Sequence, residues 1–303
     1  AVAFEVDGSS IYDSGGESYV GATRLGGNVD GLVDPGYTAS ISGDGTRVAI
    51  SGGTSVHVHE WNPSTQSWPE IWSGNYHDQC VLSRNGKRLF CRSAPAAVSG
   101  YVYDIDAGQY DSETLLGSGN SFYIDGTNYH WEQILAISAD GSRVASGVHT
   151  GSLRGGCYTC YEGLVRVWEL SSGPQLSDST WTQVGDNIVP PSGKAMRFGD
   201  ALALSDDGTR IVIGSPGYLD LNSGGVQTAG DEEPFVHVYE WSSGAWNQLG
   251  NALKHQDNPL QVDPFISFFG RSVSISGDGR HIAVHSPAGM DSSSTHGRTF
   301  IYS

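Results

Sequence analysis

One motif recurs five times along the chain, and it constrains the fold more than any other feature. A strand-like run ends in Ser, two residues of turn chemistry follow, then Gly, then polar or cationic residues and a second apolar run. The copies read SGDGTRVAI from Ser42, SRNGKRLF from Ser83, SADGSRVA from Ser138, SDDGTRIVI from Ser205 and SGDGRHIAV from Ser276. Each repeat of this kind is one supersecondary unit that must bury its face against the next. Gly45, Gly86, Gly141, Gly208 and Gly279 hold the same place, where a tight hairpin needs a positive φ that costs glycine little. Each copy is therefore predicted to be a β-hairpin, strands A and B.

A third strand, C, alternates strictly at 56–61 (VHVHEW), 101–103 (YVY), 165–168 (VRVW), 236–241 (VHVYEW) and 298–302. A fourth, D, follows at 68–72, 181–185 and 246–250, and is degenerate after Tyr103. Four antiparallel strands per unit are predicted to form a propeller blade. The expected fold is all-β, a five-bladed β-propeller of four-stranded antiparallel blades, closed by an N-terminal strand that completes the last blade. Closure is read from 23–29 (TRLGGNV), which matches 182–188 (TQVGDNI) position for position. Although 303 residues would suit two domains, the expectation is one: 1–30 as closing strands, blades near 36–73, 77–118, 131–189 and 198–250, and a last blade of 269–303 plus 19–26. Residues 2–7 also read as a strand C and are surplus to this count, free to extend the last blade or to pair with another molecule.

With 42 glycines, 8 Trp, 14 Tyr and 9 Phe, the chain has both the turns and the bulk for a large β core, which rules out wholesale disorder. A net charge of −17 argues against nucleic acid and anionic membrane surfaces as partners. No apolar run approaches the roughly 20 residues of a membrane span, and Ala1 opens no signal-peptide pattern, so a processed soluble chain is expected.

Strand A begins with Phe-Gly at Phe198-Gly199 and Phe269-Gly270, weakened to Pro35-Gly36 in the first unit. A closing Ser-Pro or Ala-Pro element stands at Ser215-Pro216, Ser286-Pro287 and Ala94-Pro95. On these residues the chain resembles the FG-GAP type of propeller repeat known from integrin α subunits and from large secreted and cell-surface proteins. The resemblance implies an architecture and an extracellular setting more than an activity. The chain departs from it at the A to B hairpin. Integrin-like blades chelate calcium there with a run of aspartates, whereas here Asp44, Asp140, Asp207 and Asp278 are single carboxylates in short turns. They are read as turn residues, and neither metal nor cofactor is expected.

Length variation falls in the B to C connections (147–162, 216–234, 287–297) and in the D to A connections (118–130, 190–197, 251–268), which emerge on one face of the ring. Long loops on a rigid scaffold are the usual seat of binding. Tyr158, Tyr161, Tyr218, Asp220, Asp231, Glu232 and His296 are the candidate ligand contacts there. No Gly-x-Ser-x-Gly elbow, His-Glu-x-x-His helix or P-loop is present. The leading expectation is a non-catalytic extracellular binding, adhesion or assembly module for a protein or glycan ligand. Two alternatives stand beside it: a carbohydrate-active enzyme using paired carboxylates on the same face, and a sheath or filament subunit that self-associates through its N-terminal strand.

His57 and His59 share one strand face at metal-ligand spacing. Because His237 recurs where the third unit has Arg166, a polar outward lining is the simpler expectation. Cys80 and Cys91 stand directly opposite if Asn85-Gly86 forms a two-residue turn, and out of register if the loop is 84–86. Cys157 and Cys160 suit a local disulfide pinning the longest loop, and four cysteines suit an oxidising compartment.

Overall fold

The computed structural model describes residues 3–12, 18–25, 38–52, 55–75, 77–93, 100–106, 114–115, 130–150, 163–171, 181–191, 197–216, 234–254, 268–287 and 297–303. Within them every regular element is a strand, and all pairing is antiparallel. Among the described residues no helix is long and apolar enough to cross a membrane. The candidate contacts Tyr158, Tyr161, Tyr218, Asp220, Asp231, Glu232 and His296, and the cysteines Cys157 and Cys160, lie outside the described residues.

A first hairpin pairs β1 (Ala3–Tyr12) with β2 (Ser18–Leu25). Unit one follows as β3 (Thr38–Ile41), β4 (Arg47–Gly52), β5 (Ser55–Glu60) and β6 (Glu70–Asn75). Unit two is β7 (His77–Leu82), β8 (Arg88–Ser93), β9 (Gly100–Asp104) and β10 (Thr114–Leu115). Unit three is β11 (His130–Ile137), β12 (Arg143–Thr150), β13 (Gly163–Leu170) and β14 (Trp181–Gln183). Unit four comprises β15 (Ala201–Leu204), β16 (Arg210–Ser215), β17 (Phe235–Ser242), β18 (Ala245–Gln248) and the short β19 (Leu253–Lys254). Unit five is β20 (Ser272–Ile275), β21 (Ile282–Ser286) and β22 (Arg298–Tyr302). Apart from the short β19, which pairs with β17, strands in each unit lie side by side in chain order, the meander that a propeller blade requires, so the architecture is compatible with a β-propeller.

The repeated turns explain why the hairpins form. In each, the Ser hydroxyl donates to the carboxylate or amide oxygen two residues on, from Ser42 to Asp44 (2.6 Å) and from Ser83 to Asn85 (2.8 Å) among them. The same hydroxyl accepts the backbone N–H five residues on, at 2.9 Å from Arg47, Arg88, Arg143, Arg210 and His281. The turn glycines all lie at φ between 65° and 73°. The aspartates are turn staples, as the sequence suggests.

Both faces of the inner sheets are covered, because each unit packs on its neighbours. Ala49, Val56 and Val58 meet Leu82, Leu89 and Tyr103; Phe90 and Val102 meet Val144, Trp168 and Trp181. Ala145, Val165 and Val167 meet Leu202, Ile211, Ile213 and Tyr239, and Val212 and Val236 meet Phe269, Ile282 and Val284. Two-sided burial overturns the expected outward histidine lining at two of its three positions: His59 and His237 are 4% and 5% exposed, while His57 is half-buried. Polar alternation along strand C marks a change of neighbour, not a wet face.

Arginines stitch successive units together. Arg47, Arg88, Arg143 and Arg210 each donate Nη1 to the turn-glycine carbonyl of the next unit (Gly86, Gly141, Gly208, Gly279) at 3.0–3.2 Å. Three of them also hold a carboxylate of their own unit: Glu60 at 3.0 Å, Glu169 at 3.0 Å and Glu240 at 2.8 Å. The fifth repeat has His281 in the arginine's place.

At the amino end β2 pairs with β1 and not with β22. Glu5 faces Thr23 there, as Glu169 faces Thr182 in unit three. Residues 3–6 thus occupy the strand C slot that the expected closure assigns to β22.

Candidate functional site

The A to B turns and the long connections leave opposite ends of the strands, and the two ends differ in construction. At the turn end the backbone itself is linked from unit to unit: Gly43 N–H donates to Arg84 O (2.6 Å), Asn85 to Ala139 (2.9 Å), Ala139 to Asp206 (3.0 Å) and Asp206 to Gly277 (2.9 Å). Arg84 Nη1 reaches Asp206 Oδ1 at 3.3 Å, from unit two to unit four. The backbone groups of the A to B turns are paired with one another in this way from unit to unit.

At the opposite end, the Phe-Gly pairs anchor the start of strand A. Phe198 and Phe269 are fully buried, and Gly199 and Gly270 adopt φ of 94° and 87°. That conformation lets their carbonyls press on glycines of the preceding unit, since a Cβ at Gly147 would stand 2.1 Å from Gly199 O and one at Gly214 would stand 2.2 Å from Gly270 O. Beside them Asp200 Oδ2 accepts from Arg197 (2.9 Å) and Arg271 (2.8 Å), with the Asp200 side chain fully buried. Asp200 and Arg271 are the residues that follow the two Phe-Gly pairs, so this ion pair latches unit four to unit five.

Cys80 and Cys91 form a disulfide across β7 and β8, with Cα atoms 4.1 Å apart. The turn is longer than a two-residue hairpin, because Ser83 is the last residue to pair, with Arg88, and 84–87 forms the loop. It stays centred on Asn85-Gly86, which keeps the cysteines opposite.

Of the histidines considered as ligands, His57 Nδ1 meets Glu70 Oε2 at 2.7 Å. His59 Nδ1 lies 3.0 Å from Trp68 O, and a carbonyl only accepts, so that nitrogen carries the proton. Burial pushes the pKa of His237 down and leaves its Nδ1 with no hydrogen-bond partner. Among the described residues no cluster of three or more His, Cys, Asp or Glu could hold a metal ion.

One cavity was not anticipated. It lies between units three and four, holds about 350 Å³, and is lined by 185–189 of unit three and by Tyr239 and 244–246 of unit four. Its signals in the sequence are Gly185-Asp186-Asn187 after one strand D and Trp246 at the start of the next, residues that a repeat alignment treats as scaffold.

No family model matches the chain, and no curated relative does. Among solved structures, the crystal structure of TolB from Acinetobacter baumannii is similar over 96% of this chain, with 15% sequence identity and a TM-score of 0.48. The chain spans 56% of the length of that protein.

Proposed function

We propose that this chain is a non-catalytic extracellular binding module of the FG-GAP-like kind, secreted or held at a cell surface, which recognises a protein or glycan through its long connections. The contrast between the two ends of the strands carries this reading. One end carries the four-residue A to B turns, sealed by unit-to-unit hydrogen bonds, and C to D connections of at most ten residues, while the longest connections, B to C and D to A, leave from the other. The Cys80–Cys91 disulfide supports an oxidising compartment. Tyr158, Tyr161, Tyr218, Asp220, Asp231, Glu232 and His296 are the contacts this reading nominates, because tyrosines on constrained loops give contact area at low entropic cost.

In the same reading the five units are blades of one ring, closed by 19–26. The fifth junction differs from the other four in one respect, His281 of unit five standing where the stitching arginine does, and that change supports closure at this point.

The test is binding of the labelled protein to cell surfaces and to a glycan array. Tyr158→Ala with Tyr161→Ala abolishes binding with unchanged melting, and Asp44→Asn leaves it intact. The opposite pattern, or release of reducing ends from an oligosaccharide, overturns the reading. A second reading, a filament or sheath subunit, has one observation in its favour: among the described residues β22 pairs with β21 alone, and Ile301 on β22 is 68% exposed. Concentration-dependent oligomers that vanish when residues 1–7 are removed would select it.

A further inference from the structure

The cavity between units three and four is a built feature of the junction. After strand β14 the chain turns at Gly185, φ 70°, and runs past the tight turn between β17 and β18. A Cβ at Gly185 would lie 2.6 Å from the ring of Trp241, so only glycine lets the two units approach this closely. The Trp246 indole N–H donates to Val184 O at 2.9 Å, and its ring packs 5.5 Å from that of Trp241. These contacts fix the Trp246 ring as a half-buried wall of the cavity.

The polar part of the lining is oriented as well. Asn187 Oδ1 accepts from Arg166 Nε (3.0 Å) and from Gln183 Nε2 (3.1 Å), which commits the oxygen and leaves the amide NH2 as a donor. Asp186 adds an exposed carboxylate, which only accepts. Tyr239 is 6% exposed, and its hydroxyl has no hydrogen-bond partner. Burial pushes its pKa up to about 12, so it stays a neutral phenol. A buried hydroxyl without a partner is destabilising, and a hydroxylated guest can supply the missing hydrogen bond.

We propose that this cavity binds one uncharged pyranose ring of a glycan, stacked on Trp246 and hydrogen-bonded through Asp186 and Asn187. The volume of about 350 Å³ falls near the low end of small-molecule sites and suits a monosaccharide or disaccharide. An aromatic plate matches the C–H face of a sugar, and a carboxylate beside an amide matches adjacent hydroxyls, which both donate and accept. No Lys, Arg or His lines the cavity, which disfavours phosphate and carboxylate guests. Two aromatics, one of them buried, do not make the box that a quaternary ammonium needs. The site stands on the rim of the stack and does not depend on the long connections.

Isothermal titration of the intact protein with the methyl pyranosides of glucose, galactose, mannose and N-acetylglucosamine tests the proposal. At least one binds saturably with a millimolar Kd. Asp186→Ala, an exposed change, weakens it about tenfold, equivalent to about 1.4 kcal/mol. Trp246→Phe, which keeps an aromatic ring but gives up the indole hydrogen bond to Val184, weakens it, with the melting temperature monitored as a folding control. Tyr158→Ala with Tyr161→Ala leaves it unchanged, so failure of the loop site and failure of this one are told apart. No saturable binding of any of the four, binding indifferent to both Asp186→Ala and Trp246→Phe, or preference for tetramethylammonium overturns it.

Discussion

Ser205 is 1% exposed, yet it is the polar hinge of its turn: its hydroxyl donates to Asp207 (2.6 Å) and accepts the Arg210 backbone N–H (2.9 Å). Ser205→Ala leaves that N–H without its partner and is expected to cost about 1–3 kcal/mol in urea unfolding at neutral pH. Asp207→Asn should cost under about 1 kcal/mol there, because Asn85 already fills the same place in unit two with the same bonds. Acid separates the two side chains further. Partial burial pushes the Asp207 carboxyl up, but hydrogen bonds from Ser205 and Thr209 outweigh it and hold its pKa below the usual carboxylate range. The contribution of Asp207 to stability is therefore complete above the unfolded-state pKa of about 3.9 and is lost as pH falls through the lower folded value. Unfolding at pH 7 and pH 3 should show a smaller acid loss for Asp207→Asn than for the parent. An equal loss would show that this carboxylate does not contribute.

Strand B of one unit and the start of strand A in the next form the tightest joints of the molecule. Gly214 and Gly147 face the carbonyls of Gly270 and Gly199, and their counterparts in units one and two are Ser51 and Arg92. The units that follow those two lack Phe-Gly, so the docking glycine and the Phe-Gly pair occur together or not at all. A methyl group at Gly214 would meet backbone, which cannot rotate away. Gly214→Ala is expected to lose about 3 kcal/mol or more of stability, measured by thermal unfolding. Arg84→Ala makes the contrast: its ion pair with Asp206 is 58% and 44% exposed, so its loss should fall within about 1 kcal/mol. Gly214→Ala with a parental melting curve would mean that the joint relaxes freely.

For the molecule as a whole, assembly turns on the partner of β2. Residues 3–6 and β22 have the same strand C pattern, and β2 pairs with the former. If closure of the ring places β2 against β22, removing residues 1–30 exposes the edge of unit five and causes aggregation or loss of a single cooperative transition. Removing residues 1–7 alone frees β2 from its competitor and leaves the monomer folded. A chain without residues 1–30 that remains monomeric with unchanged melting would defeat the five-bladed closure.

The hairpins and their order were legible in the amino-acid sequence because their causes are local. A Ser, a short acceptor and a Gly satisfy one another within six residues, and strand alternation follows from the β backbone. The Cys80–Cys91 register could be read on the same basis, since a turn centred on Asn85-Gly86 sets every pairing above it. Burial of His59 and His237, the arginine stitching, the Asp200 latch and the cavity beside Trp246 were not legible. Each depends on which face a neighbouring unit covers, over separations of tens of residues. Alternation along one strand reports two faces without saying that both are covered, and that coverage arises only when the sheets stack.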